Sequence, residues 1–72
     1  MAELELLCVV ALLEDLPRKG LRRGQVGTIV EFLAEGVYEV EFTDDSGVAY
    51  ASIPLHANQL LKLHHAPANR AA

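Results

Sequence analysis

The chain has one cysteine, Cys8, so no internal disulfide can staple it. A domain of 72 residues buries a smaller fraction of its surface than a larger one does, and chains of that size lean on disulfides, a metal or self-association for stability. Cys8 sits within Leu6-Leu7-Cys8-Val9-Val10, where a thiol is a small buried hydrophobe rather than a nucleophile. The first residues carry acids, Glu3 and Glu5, where a secretory signal carries lysine or arginine. The apolar run from Leu6 to Leu13 falls well short of the ~20 residues that a spanning helix needs. A soluble, cytoplasmic chain without membrane contact is therefore expected. Also lacking are a glycine-rich phosphate loop, a nucleophile elbow and a Ser-His-Asp order, so neither an enzyme nor a cofactor is expected. A net positive charge is lacking too. The balance is −4, the wrong sign for a generic polyanion binder, because phosphate neutralisation dominates nucleic-acid affinity.

The charge that is present is unevenly placed. Arg18, Lys19, Arg22 and Arg23 crowd into one stretch, whereas Glu31, Glu35, Glu39, Glu41, Asp44 and Asp45 follow with no base among them. The basic stretch holds no aromatic side chain on which a nucleobase would stack. It reads as a solvated loop, paired with Glu14 and Asp15 or turned toward a partner.

Apolar periodicity and turn residues give a strand-rich reading. Leu6 to Leu13 is apolar throughout and stopped by Glu14-Asp15-Leu16-Pro17; it reads as a first strand covered on both faces, with a short buried helix from near Glu3 as the competing reading. A loop from Glu14 to Gly24 follows, then a second strand from Val26 to Phe32, with Gly24 and Gly27 allowing a bend and a close strand approach at its entry. Val37 to Phe42 alternates cleanly, with Tyr38, Val40 and Phe42 on one face and Glu39 and Glu41 on the other. Asp44-Asp45-Ser46-Gly47 is a hairpin connection, Gly47 being free to take a positive φ. Val48 to Ile53 returns as a fourth strand, Pro54 to Gln59 reads as a helical turn, and Leu60 to Leu63 as a last strand. The fold predicted is an all-β, five-stranded SH3-like barrel with a short helical turn before the last strand, occupying residues 1–65, and residues 66–72 form a mobile tail.

The run VVALLEDLPRKGLRRGQVGTIVEFLAEGVYEVEFTDDSGVAY, with NQL ahead of the last strand, resembles a family of short bacterial proteins, common in cyanobacteria and known as a domain of unknown function. The resemblance spans about Val9 to Leu63 and brings no catalytic residues. It brings no assigned activity either; some members of the family are encoded beside other small genes in mobile or defence-like settings, which the resemblance implies as a setting for this chain. Gly24 to Glu31 is also similar to the glycine-containing strand of KOW-type barrels, which implies nucleic-acid binding.

Other candidate groups have ordinary explanations. His56, His64 and His65 are too few and too poorly convergent for a zinc site, so no metal is expected. Phe32, Tyr38, Phe42 and Tyr50 fall at strand positions and could line an aromatic groove or cage, but Tyr38 and Phe42 at least are better explained as core by their alternation with Glu39 and Glu41. Asp44 and Asp45 belong to a turn. Two surfaces remain as candidates. The first is the basic loop of Arg18, Lys19, Arg22 and Arg23. The second is one face of the first strand, Leu7, Val9, Ala11 and Leu13, because a strand apolar on both faces needs cover from outside its own core. The expected role is a non-enzymatic interaction module whose partners are a second copy of itself and, as an accessory or antitoxin-like protein, another small protein. The alternative is a KOW-like barrel gripping nucleic acid with the basic loop.

Overall fold

A computed structural model of the chain describes residues 4–67. It contains five strands: β1 Val9–Leu12, β2 Val26–Ala34, β3 Val37–Thr43, β4 Ala49–His56 and β5 Leu60–Lys62. They make one antiparallel sheet in the order β4-β3-β2-β1-β5. A single turn of 3-10 helix, Ala57–Gln59, precedes β5, and the described residues hold no α-helix. This is the five-stranded SH3-like arrangement that the spacing predicts. The inner face collects Val10, Leu12, Leu21, Ile29, Val40, Phe42, Leu55 and Leu60 into one buried core.

β3, which lies between β4 and β2, has the cleanest alternation. Val40 and Phe42 are fully buried, and they lie across from Ile29 and Gly27 of β2 and from Ile53 and Ala51 of β4. Gly27 is required by this packing. A Cβ there would stand 2.7 Å from Val40 Cγ1 and 3.0 Å from both the Glu41 carbonyl oxygen and Phe42 Cδ2, so only hydrogen leaves room for the two core side chains. In the β3–β4 hairpin Gly47 takes φ 83°, and the Asp44 carboxylate accepts the N–H groups of Ser46 and Val48 at 2.8 and 3.0 Å, closing the turn.

Three segments differ from the sequence reading. β1 is shorter than the apolar run, and no helix replaces it. Leu7 lies in a turn at φ 67°, with the Cys8 N–H donating to the Glu5 carbonyl at 3.1 Å, so Leu7 is a turn residue rather than a strand residue. β4 continues through Pro54 to His56, because β4 is an edge strand and a missing N–H there breaks no ladder on its open side. Only Ala57–Gln59 is then left for the helical turn. The loop after β1 is internally built: Pro17–Lys19 forms a 3-10 turn, Leu16 and Leu21 bridge, and Leu21 joins the core. Of the expected tail, all but Ala66 and Pro67 lies outside the described residues.

Candidate interaction surfaces

Arg18, Lys19, Arg22 and Arg23 are all exposed. Backbone contacts set the loop's shape. The Arg23 N–H donates to Asp15 Oδ1 at 2.8 Å and the Arg22 N–H to Gln25 Oε1 at 2.6 Å, while Glu14 Oε2 accepts from Gln59 Nε2 at 2.7 Å. Glu14 and Asp15 are thus engaged with an amide side chain and a backbone group, and none of the four loop cations forms an ion pair among the described residues. This corrects the expected pairing of the loop with its two neighbouring acids. One contact was invisible in the linear order: Gln25, whose Oε1 holds the Arg22 N–H, donates through Nε2 to the Tyr50 hydroxyl at 3.0 Å. Folding therefore brings a half-exposed aromatic ring up to a loop that has none of its own.

The second surface is the outer side of β1. Val10 and Leu12 point into the core, which leaves Val9 and Ala11 outward. Ala11 is flanked by Val26 on β2 and Leu61 on β5, and these are 47% and 51% exposed. Val9 stands beside Thr28 and accepts the Leu63 N–H at 2.9 Å. Leu13, just past the strand, is 43% exposed, and Leu7 in the preceding turn is 74% exposed. Of the four residues assigned to this face, Val9 and Ala11 form its centre and Leu13 and Leu7 lie beyond the strand's ends. Val26 and Leu61 belong to it as well, and only the cross-strand register reveals that.

The remaining candidates are dispersed. Cys8 is half-buried, its thiol 3.7 Å from the Val9 carbonyl. His56, His64 and His65 are exposed, and no cluster of three metal-ligating side chains occurs among the described residues. Phe42 is core, with Tyr50 beside it at 6.3 Å between ring centroids. Phe32 and Tyr38 meet edge to face at 5.5 Å, and Phe32 is half exposed. No helix of the described residues is long and apolar enough to cross a membrane.

Strand order and burial define a small all-β domain, one five-stranded antiparallel sheet around a single core, with two exposed surfaces of unlike character. The chain belongs to the family described as Domain of unknown function (DUF4926), whose model matches residues 6–62. No curated protein matches the chain, and no solved structure does.

Proposed function

We propose that the protein is a non-enzymatic interaction module that pairs with a second copy of itself through the outer face of β1, β2 and β5. The observation that supports this most is the cross-strand row Val26–Ala11–Leu61, apolar on a face that in a small barrel is ordinarily polar. Fully burying one valine or leucine side chain is worth about 1.5 to 3 kcal/mol. A patch that meets its own image across a two-fold axis gains twice from each residue. Such pairing supplies the stabilising cover that a chain with one cysteine cannot draw from disulfides.

Light scattering at micromolar concentration tests it. The parent is expected to weigh as a dimer, and V26K combined with L61K as a folded monomer, since both side chains are already half in water. A monomeric parent would overturn the reading.

A second reading, nucleic-acid binding by the loop, is favoured by one observation: the exposed cations stand beside Tyr50, which offers a stacking face. Against it stands the net charge of −4. It predicts salt-sensitive retention of single-stranded RNA that disappears in the variant carrying R22A and R23A.

A further inference from the structure

β2 is covered unevenly. On one side it pairs with β3 along its whole length, from Gly27 opposite Phe42 to Ala34 opposite Val37. On the other side β1 reaches only Thr28, and the last backbone contacts are exchanged at Ile29, which donates to the Cys8 carbonyl and accepts the Leu7 N–H. Among the described residues nothing pairs with that edge from Val30 to Ala34. A strand edge of this kind is a template for an added strand.

The two faces beside the open edge differ in chemistry. The β2–β3 register slips at Val30, which turns Phe32 to the inner side, where it meets Tyr38 edge to face. Leu4, Phe32, Leu33 and Tyr38 line a recess of about 450 Å³ there, with Glu35 at its rim. The outer side of the same segment places Glu31 directly across from Glu39, and like charges at opposed positions repel. No basic side chain among the described residues forms an ion pair with Glu31 or Glu35.

We propose that the open edge of β2 accepts a short β-strand from a partner protein whose residues alternate apolar and basic. Because side chains of a strand alternate between faces, its apolar residues enter the recess beside Phe32, and its lysines or arginines lie against Glu31, offsetting the repulsion between Glu31 and Glu39 on β3. The Glu39 carboxylate accepts from Ser52 Oγ at 2.7 Å. The second register slip, next to Leu33, limits the regular edge to a few residues, so the docked segment is short and its affinity modest. This surface is separate from the outer face of β1 on which the self-association reading rests.

The test is a titration of the isotope-labelled protein with an eight-residue peptide of alternating leucine and lysine, followed by amide resonances. Saturable shifts centred on residues 30–36 are expected, weakened at least tenfold by E31Q and by L33S, and weakened far less by D45N, which removes the same charge from the β3–β4 turn. Peptides alternating leucine with glutamate, or serine with lysine, are expected to leave those resonances in place. Equal losses in E31Q and D45N would show mere attraction to net charge and overturn the proposal. So would shifts centred on Val26 and Leu61, or resonances at 30–36 that move on dilution without peptide, which would place a second copy on the edge. The oligomer test above has no bearing on these outcomes.

Discussion

At the scale of single residues, the tightest fit is Gly27, where any side chain meets Val40 and Phe42 within the core. Overpacking of this kind costs about 1 to 3 kcal/mol. For a domain of this size each kcal/mol shifts the melting midpoint by about 4 to 8 °C. G27A is therefore expected to melt lower by several degrees, which a circular-dichroism melt checks; an unchanged midpoint would mean that β2 and β3 separate easily at that point. Leu21 makes the complementary case. It is a lone apolar residue in a basic loop, and no period marks it, yet it is 3% exposed and packs in the core. L21A is expected to cost about 2 to 5 kcal/mol and to loosen Arg22 and Arg23. Hydrogen exchange of the loop amides reads the second effect separately from the melt.

At the scale of elements, how far each strand was legible depended on whether its sequence carried a phase. β3 did, because Tyr38, Val40 and Phe42 alternate with Glu39 and Glu41, and burial follows that alternation. β1 did not, because eight consecutive apolar residues point nowhere in particular, so neither its start at Val9 nor the turn at Leu7 was visible. In β2 the slip at Val30 reverses the parity of everything after it; strict alternation would have set Phe32 beside Thr28 on the outer face. β4 runs through Pro54 because it lies at the edge of the sheet, a fact of strand order that no local pattern carries. Within β1 the phase is now assigned. V10K with L12K is expected to unfold the domain, while V9K with A11K is expected to leave it folded and dissociate any dimer, as circular dichroism and light scattering would each report. Unfolding by the second pair would mean that the outer face is also core.

At the scale of the whole molecule, the candidate surfaces were legible as compositions and not as places. The cluster Arg18 to Arg23 stood out in the linear order, but its junction with Tyr50 rests on a bond from Gln25 across 25 positions of chain. The outer apolar face was half visible, as Val9 and Ala11; Val26 and Leu61 join it only through pairing. If this face is where two copies meet, the melting midpoint should rise with protein concentration over a hundredfold range, as mass action requires of a folded dimer. A midpoint independent of concentration would sink that idea, and it would leave the lysine variants on this face without effect on mass.

The link from the Arg22 backbone through Gln25 to the Tyr50 hydroxyl has an optical consequence. The chain holds two tyrosines and no tryptophan, so all of its useful near-ultraviolet emission comes from Tyr38 and Tyr50. One ring lies in the recess beside Phe32 and the other at the foot of the basic loop. With Y38F the remaining emission belongs to Tyr50 and follows whatever touches the loop; with Y50F it belongs to Tyr38 and follows whatever seats itself against β2. The molecule thus carries a native, separable fluorophore at each of two surfaces, and binding at either can be watched without attaching a dye.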